Sequence, residues 1–413
     1  MQEHKPKFSD YYVEGIPEIP DDPLLDIPGD CEIYQQRLQP EMINSISVLG
    51  PNVYSVGSLI LCHRLDEGNI TIPASAVCSW TDDGMNFYLE RRAEPLEGRV
   101  PEGEPAPSTY PRGFGTDRGF WNPSPHIRIR SKAWTEGQTT EATTIEWIRK
   151  NVPSVPTEDV LYHWIDPAWD RSFMLAKVVD GIPYDIAWHY FTQRQKCDVA
   201  EQVAGFAKSL AEHTSDFIET VQGTGMPGQW RLAADRVAYP GWKKRIEARA
   251  SRDEYKEYYQ RRAARLGLVK KIPGLDEPFV LQNRDFIPEN IHVTIPKESD
   301  ADQRPRVILI VNWDRVGYIP KWKMATDIRI KRDLFMVPLQ YFAGEDWMIM
   351  LSNECVRAGF PLAWEHVVER ETKGRLRHHP NTPFSWFYCD ALIGDEGACW
   401  LHKTDDKELD VER

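Results

Sequence analysis

The sequence lacks any long apolar run. The longest obvious one is Val307–Val311, which is far shorter than the roughly 18 residues that a membrane-spanning helix needs. The N-terminus begins with charged and polar residues and shows no apolar segment of the kind that a signal peptide carries. These absences predict a cytoplasmic protein with no membrane insertion.

Paired cysteines and an excess of positive charge are also missing. The seven cysteines are an odd number with no C-x-x-C spacing, which favours free thiols in a reducing compartment. The formal net charge of -13 argues against nucleic acid or an anionic membrane as the main partner. No histidine spacing predicts a metal site, and no G-x-S-x-G elbow predicts a serine hydrolase.

Polar residues follow two short apolar segments in the second half of the chain. One segment starts at Phe279 and leads to Asp285, with Asn290 five residues further on; the other starts at Val307 and ends in the polar sequence 312–314. The charged stretch 297–306 between them is typical of a turn that joins two strands. Asp285, Asn290, Asn312 and Asp314 are therefore predicted to face one cleft.

These two segments resemble the fungal branch of the aminoglycoside phosphotransferase family, which is related to the protein kinases. The family's His-Gly-Asp-Leu-x-Pro-x-Asn-Ile loop and Ile-Asp-Trp-Glu-x-Ala-Gly-x-x-Pro segment are matched by Asp285, Pro288, Asn290, Ile291, Trp313, Gly317 and Pro320. The resemblance implies an α+β, protein-kinase-like fold, with a small antiparallel β lobe and a larger, mainly helical lobe. It also implies phosphoryl transfer from ATP with magnesium.

The matches are interrupted at positions that matter for phosphoryl transfer. Asn283 and Arg284 stand where the family has His-Gly, and Asn312 stands where it has the metal-binding aspartate. Magnesium bridges the phosphates in this chemistry and prefers anionic oxygen ligands. Asp285, the family's catalytic base, is present. Asp314, two residues after Asn312, is the candidate that could restore the lost charge.

A phosphate-binding lysine is also lacking where the resemblance places it. The strand after Gly57 carries Cys62 and His63 at the expected position and contains no lysine. Glu141 occupies the position of the family's glutamate that pairs with that lysine. Without a partner, it is predicted to be an ordinary first-turn glutamate of a helix.

The chain is divided into three predicted parts. They are an extended, acidic and proline-rich arm (1–45), a small lobe (46–179) with a proline- and glycine-rich insertion (92–140), and a large helical lobe (180–413) that contains the central motif 279–320. Val53–Leu65 and Ile70–Trp80 are predicted to form a hairpin, and Phe87–Arg91 a further strand. Helices are predicted over 140–151, 198–221, from Ser251, over 327–351 and over 353–373.

Several aromatic residues are candidates for substrate contact. Trp121 lies in the insertion, which is predicted to be either an aromatic lid or a loop packed on the surface. Tyr184 and Trp188 follow the hinge-like sequence 180–183, and core packing is the alternative for both. Trp313 and Asp314 complete the predicted substrate-binding set.

Three functions remain open from the sequence. The favoured one is a kinase-like scaffold that has lost phosphotransfer and binds an apolar small molecule. Its catalytic residues would be Asp285, Asn283, Arg284, Asn290 and Asn312, and it would catalyse a cyclisation or pericyclic step without a metal or cofactor. The resemblance alone suggests fungal secondary metabolism as the setting. The alternatives are an active small-molecule phosphotransferase that uses ATP and magnesium, and a non-catalytic pseudokinase. No oligomeric state follows from the sequence.

Overall fold

The structure is a computed structural model, which describes residues 45–65, 71–97, 102–106, 118–227, 246–257, 276–295, 303–331 and 341–363. The predicted N-terminal arm lies outside the described residues, apart from Ser45. The predicted helix 353–373 is described only as far as residue 363.

The chain begins with a six-stranded antiparallel sheet. Its strands are β1 (Ile46–Gly50), β2 (Val53–Val56), β3 (Ile60–Arg64), β4 (Ala76–Asp82), β5 (Met85–Arg91) and β6 (Glu104–Pro105), in the order β4-β5-β3-β2-β1-β6. The prediction that Val53–Leu65 is one arm of a hairpin was wrong, because this segment is itself the β2–β3 hairpin. The predicted strand Phe87–Arg91 is confirmed and lies between β3 and β4.

Gly57 explains the turn inside this segment. Its φ of +65° belongs to the left-handed region that glycine adopts without steric cost. A Cβ at this position would lie 2.5 Å from Oδ2 of Asp166. The same carboxylate accepts hydrogen bonds from the Ser58 amide at 2.6 Å and the Ser58 hydroxyl at 2.8 Å. The turn is thereby attached to the next sheet.

The second sheet has four antiparallel strands. They are β7 (Arg118–Ser124), β8 (Ile127–Ala133), β9 (Val160–Asp166) and β10 (Arg171–Lys177), in the order β7-β8-β10-β9. The prediction of an irregular insertion was therefore wrong for most of 118–133. The turn between β7 and β8 consists of Pro125 and His126, and the next seven residues begin with an alternation of isoleucine and arginine that suits a strand.

The two sheets share one hydrophobic core. Its buried residues are Ile46, Val56, Ile60, Cys62, Leu89 and Ala106 from the first sheet, and Trp121, Ile127, Ile129, Trp164, Phe173 and Leu175 from the second. Trp121 is 6% exposed, and its ring centroid lies 4.7 Å from that of Tyr54. The second sheet is therefore covered by the first on one face, which leaves its other face for the rest of the molecule.

Helix α1 (Glu141–Asn151) follows the second strand of this sheet and confirms the predicted helix 140–151. Thr140 is its N-cap, with Oγ1 accepting from the Thr143 amide at 3.2 Å. Ile145 and Ile148 are fully buried. Their burial fixes the side of the helix that faces the core, and hence the position of Glu141 at its start.

The helical part begins after β11 (Ile182–Pro183). It continues with α2 (Tyr184–Ala187), the 3-10 turn Trp188–Tyr190 and α3 (Gln193–Leu210). The predicted helix 198–221 was displaced, because the N-terminal capping box uses Thr192 and Gln195 rather than Asp198 and Glu201. Two short strands, β12 (Thr214–Ser215) and β13 (Phe217–Ile218), occupy what was predicted to be its last turns.

Short strands and two helices complete the described chain. They are β14 (Met226–Pro227), β15 (Ile246–Glu247), β16 (Ala250–Ser251), β17 (Phe279–Asn283), β18 (Ile291–Val293), β19 (Val307–Ile310), β20 (Val316–Ile319), α4 (Lys323–Lys331) and α5 (Tyr341–Arg357). The predicted helix start at Ser251 is confirmed, since 252–257 are helical and the Glu254 carboxylate accepts from the Ser251 amide at 2.7 Å; the following residues, up to 275, lie outside the described residues. The predicted helix 327–351 corresponds to α4 and α5, with 332–340 outside the described residues.

The order of these elements confirms the predicted α+β class and its two lobes. Antiparallel strands dominate up to residue 183, and the main helices α3, α4 and α5 follow. Among the described helices, none is both long and apolar enough to cross a membrane.

Candidate active site

Two strand pairs bring the ends of the central motif together. β17 pairs with β20, with Asn283 opposite Val316, and β18 pairs with β19, with Ile291 opposite Ile310. The loop after β17 and the turn after β19 consequently meet. The structure brings Asp285, Asn290, Asn312 and Asp314 into one buried cluster, in which no residue is more than 7% exposed.

Asn312 starts the turn that follows β19. Its backbone is left-handed, with φ 72° and ψ 55°, a conformation that asparagine tolerates better than most residues other than glycine. The 3-10 turn Trp313–Arg315 follows directly. Its tryptophan is fully buried and donates from Nε1 to the Ile310 carbonyl at 2.6 Å, which fixes the turn against its own strand.

Asp285 is held by the amide groups of its neighbours. Its Oδ2 accepts from Nδ2 of Asn290 at 3.1 Å and from Nδ2 of Asn312 at 2.9 Å. Asn290 also donates to the Asp285 carbonyl at 2.8 Å, and Oδ1 of Asn283 accepts from the Asp285 amide at 2.9 Å. The other carboxylate oxygen, Oδ1, accepts no hydrogen bond from the residues that the structure describes.

A buried lysine stands opposite this aspartate. Nζ of Lys132 lies 2.8 Å from Oε2 of Glu141, 2.8 Å from Oδ1 of Asn312 and 3.5 Å from Oδ1 of Asp314. The expectation of a site without lysine was wrong, because the lysine comes from β8 in the second sheet. Glu141 is therefore an ion-pair partner and not an ordinary first-turn glutamate.

Arg130, two residues before this lysine, lies on the same face of β8. It donates to Oε1 of Glu141 at 2.6 Å and to Oε1 of Glu158 at 2.7 Å. The backbone amide of Trp313 also donates to Oε1 of Glu141, at 2.9 Å. Glu141 thus connects the strand, the helix and the turn that carries Asn312.

The pKa values of the two glutamates bound to Arg130 are shifted in opposite directions. Burial would raise the pKa of Glu141, but the Arg130 and Lys132 cations outweigh burial and lower this pKa to about 2. Burial raises the pKa of Glu158, and the charge on Glu141 adds to that increase. Glu141 is therefore ionised throughout the neutral range, while Glu158 gives up its proton less readily.

The predicted aromatic contacts lie in hydrophobic packing. Trp121 belongs to the core between the two sheets, and Tyr184 and Trp188 pack on each other with centroids 5.5 Å apart. The structure places Tyr184 and Trp188 in the core of the helical lobe, so the alternative prediction of core packing holds for both. Trp313 is also fully buried. Arg284 is half-buried beside Asp285.

Phe120, and not the predicted substrate-binding residue Trp121, is the aromatic residue beside Arg130. The Arg130 guanidinium lies 5.4 Å from the Phe120 ring centroid, and Phe120 is the residue opposite Arg130 in the β7–β8 pairing. Successive side chains of a strand point to opposite faces. Trp121 therefore points into the core, while its neighbour Phe120 lies on the face of the sheet that carries Arg130.

Lys132 and Arg130 were missed in the sequence although a signal was present. Residues 127–133 read Ile-Arg-Ile-Arg-Ser-Lys-Ala and precede the capped helix that starts at Glu141. Alternation of this kind places Arg130 and Lys132 on one face. The proline- and glycine-rich residues before them concealed the strand.

The Asn312 side chain is not arranged as the magnesium ligand that the resemblance places at this position. Oδ1 of Asn312 already accepts from Lys132, and Nδ2 of Asn312 is directed at Asp285. An amide nitrogen is a hydrogen-bond donor and offers no ligand to a hard cation.

Fold and site together define a kinase-like scaffold. Protein kinases hold a lysine of a small-lobe strand against a glutamate of a helix, and their catalytic loop has an aspartate with an asparagine five residues later. Lys132 with Glu141, and Asp285 with Asn290, reproduce both arrangements.

Searches for similar proteins gave likenesses at the level of structure only. No family model and no curated protein match the chain. A thermostable mutant of aminoglycoside phosphotransferase APH(4)-Ia in its apo form aligns with a TM-score of 0.32 and 14% identity, over 66% of this chain and 89% of that one. ADP-bound APH(2'')-Ib aligns with a TM-score of 0.33 and 12% identity, over 73% and 90%.

A third solved structure gives a similar result. Aminoglycoside-3'-phosphotransferase of type VIII aligns with a TM-score of 0.29 and 15% identity, over 66% of this chain and 84% of that one. TM-scores this low carry no argument about the activity of this chain.

Proposed function

We propose that this protein is a kinase-like scaffold that has lost phosphotransfer. Its cleft binds an apolar small molecule and catalyses a metal- and cofactor-free cyclisation or pericyclic step in fungal secondary metabolism. One observation carries the proposal: the Asn312 carboxamide joins Lys132 to Asp285, with contacts of 2.8 Å and 2.9 Å.

An amide can make both of these contacts and a carboxylate cannot. The oxygen of Asn312 accepts from an ammonium, and its nitrogen donates to a carboxylate. The opposite orientation would place the amide NH₂ against the Lys132 ammonium and the amide oxygen against the Asp285 carboxylate, so the partners fix the assignment. The amide joins the two charged groups directly. In a metal-dependent kinase, an ion would have to compensate two carboxylates at these positions.

The remaining groups suit proton transfer and carbonyl polarisation. Asp285 has one carboxylate oxygen without a hydrogen bond from the described residues, and this oxygen can accept a proton or orient a hydroxyl. Lys132 adds a positive charge to this buried cluster, where charges stabilise developing negative charge more strongly than in water. Holding a flexible chain in its reactive conformation would lower the barrier further.

An apolar surface next to the catalytic loop supports the class of substrate. Ile182, Ile186 and Tyr190 are 36%, 53% and 72% exposed. Helix α2, which contains Ile186, packs against the 3-10 turn Pro288–Asn290 that follows Asp285. Exposed apolar side chains grouped beside a polar site are a common feature of ligand-binding surfaces.

A second candidate function is ATP-dependent phosphotransfer to a small molecule. The buried Lys132–Glu141 pair favours it, because kinases require this pair for activity. In this case Asp285 would be the base, and Asn290 with Asp314, whose Oδ1 lies 3.5 Å from Nζ of Lys132, would be the metal ligands.

Conversion of a natural extract distinguishes the two functions. The purified protein would be incubated, in EDTA without nucleotide, with a small-molecule extract of source cells in which its gene has been deleted. We expect one compound to disappear and an isomer of identical mass to form, because a cyclisation neither adds nor removes atoms. Asp285→Asn should abolish the conversion, and Arg149→Gln, at an exposed ion pair, should leave it intact.

A product that is heavier by one phosphoryl group, formed only with ATP and magnesium, would overturn the proposal in favour of phosphotransfer. No conversion under either condition, with folded protein, would leave the non-catalytic pseudokinase.

A further inference from the structure

Arg315 stands apart from the other residues of its turn. Asn312, Trp313 and Asp314 are at most 6% exposed, whereas the Arg315 side chain is 47% exposed. The buried residues hold the turn in place, and the arginine at its end is exposed to solvent next to Asp285. A half-exposed guanidinium on a fixed turn is well placed to meet a ligand on entry.

The contact between Arg315 and Asp285 is incomplete. Nη1 of Arg315 lies 3.6 Å from Oδ1 of Asp285, which is within ion-pair range but longer than a hydrogen bond. Oδ1 is buried and accepts no hydrogen bond from the described residues, while Oδ2 accepts two. Oδ2 is thus fully engaged, whereas Oδ1 has the more distant Arg315 guanidinium as its charged neighbour.

Other arginines of this protein form closed pairs with carboxylates. Arg149 has a similar exposure of 48% and lies 2.8 Å from Oδ1 of Asp159. Arg130 lies 2.6 Å from Glu141 and 2.7 Å from Glu158. The longer distance at Arg315 is therefore a property of this position, and it leaves hydrogen-bonding capacity on both the guanidinium and the carboxylate.

We propose that Arg315 is the anion-binding residue of this site and that the substrate carries a carboxylate. The guanidinium fork matches the planar geometry of a carboxylate and binds it in bidentate fashion. An acidic hydroxyl or carbon next to that carboxylate would then lie against Oδ1 of Asp285. This inference rests on the proposed function, and it narrows the substrate to an apolar molecule with one anionic end.

The same guanidinium can bind a phosphate, so the test must separate the two anions. Wild-type protein, Arg315→Gln and Arg149→Gln would be titrated with benzoate, with inorganic phosphate and with ATP in EDTA, at constant ionic strength. Binding would be followed by the melting temperature and by calorimetry. Ligands that bind only the native state raise the melting temperature.

We expect benzoate to stabilise the wild type and Arg149→Gln, and to bind Arg315→Gln at least about tenfold more weakly, as expected for loss of a charged hydrogen-bond pair. Arg315→Lys should recover part of this affinity, since it restores the charge without the fork. Equal benzoate binding by Arg315→Gln and the wild type, or no benzoate binding by the wild type, would overturn the proposal.

Binding of phosphate or ATP that depends on Arg315, without binding of benzoate, would overturn the carboxylate assignment. The outcome is independent of the isomerisation assay, because anion binding is measured without turnover. The failure of either proposal can therefore be recognised separately.

Discussion

The two central carboxylates of the site, Glu141 and Asp285, are held in opposite ways. Glu141 is bound by two cations, Arg130 and Lys132, and by one backbone amide. Asp285 is bound on Oδ2 by the neutral amides of Asn290 and Asn312.

This difference separates a structural role from a chemical one. A carboxylate compensated by cations stays ionised and fixes the geometry around it. A carboxylate held by neutral donors on one oxygen keeps the other oxygen available for a substrate. The charged half of the site (Arg130, Lys132 and Glu141) thus supports the half around Asp285, in which chemistry is proposed. The predictions below test this contrast, and the last one concerns a carboxylate outside the site.

Loss of Lys132 should have the largest effect. Lys132→Ala would remove one of the two cations that bind Glu141 and the cation 3.5 Å from Asp314, and breaking a buried ion pair in this way costs about 3–5 kcal/mol. The free energy of unfolding from denaturant titration would measure this loss. Lys177→Ala is the control, because Lys177 is 55% exposed and its pair with Asp159 should contribute about 0–1 kcal/mol. Similar losses for both variants would contradict the structural role of the charged half.

Replacing Asn312 by aspartate should have the next largest effect. The new carboxylate would face Asp285, which would lose a hydrogen bond and gain a like charge, at a cost of about 1–3 kcal/mol without added metal. Asn122→Asp is the control: Asn122 is exposed and accepts from Arg128, so its change should stay within about 0.5 kcal/mol. Equal stability of Asn312→Asp and the wild type in EDTA would show that the amide bridge is unimportant.

Glu141 and Glu158 should differ in the pH dependence of stability that they contribute. The lowered pKa of Glu141 stabilises the protein above the ordinary glutamate value of 4.5, and this contribution is lost as pH falls toward about 2. The raised pKa of Glu158 has the opposite sign: the fold is penalised as pH rises from 4.5 through the folded pKa.

Unfolding free energies of Glu141→Gln and Glu158→Gln, measured from acid to neutral pH, test this contrast. The deficit of Glu141→Gln relative to the wild type should grow as pH rises, while Glu158→Gln should gain stability relative to the wild type over the same range. Parallel curves for the two variants would contradict the assignment.

The smallest expected effect concerns a carboxylate outside the site. Oδ1 of Asp82 lies 2.8 Å from Nδ1 of the exposed His126. This hydrogen bond and the Asp82 charge raise the pKa of His126. Burial alone would raise the pKa of Asp82, but its hydrogen bonds and the His126 charge outweigh burial and lower this pKa.

The stabilisation from this pair should be complete between the two unfolded values, 3.8 and 6.5. It should decrease as pH rises through the folded pKa of His126 or falls through that of Asp82. Melting temperatures of the wild type and His126→Ala, measured from below pH 3.8 to well above pH 6.5, would detect the effect. A difference between them that does not change with pH would rule out the linkage.

Part of the site could be predicted from the sequence because it is local. Asp285, Asn290, Asn312 and Asp314 lie within 30 residues on adjacent strand ends, so their meeting follows from the segment itself. Lys132 is separated from Asn312 by 180 residues. Its pairing depends on the way in which the second sheet packs over the helical lobe, which the local pattern does not contain.

Three predictions failed for physical reasons. The first six strands form a sheet of their own. The lysine was expected in the strand after Gly57, which belongs to this first sheet, but it lies in β8 of the second sheet. Assigning Trp121 rather than Phe120 to the site was a shift of one residue, which reverses the face of a strand. The helix that starts at Gln193 was misplaced because Thr192 and Gln195 cap it, ahead of the similar-looking Asp198 and Glu201.

Calorimetric titration of the wild type and Asn312→Asp with ATP, in EDTA and in excess magnesium, tests the central claim most directly. The account predicts that magnesium leaves nucleotide binding by the wild type unchanged, and that it strengthens nucleotide binding by Asn312→Asp, where a second carboxylate can help to hold the ion. Nucleotide binding by the wild type that requires magnesium and is lost in Asp314→Ala would contradict the account and establish an active phosphotransferase site.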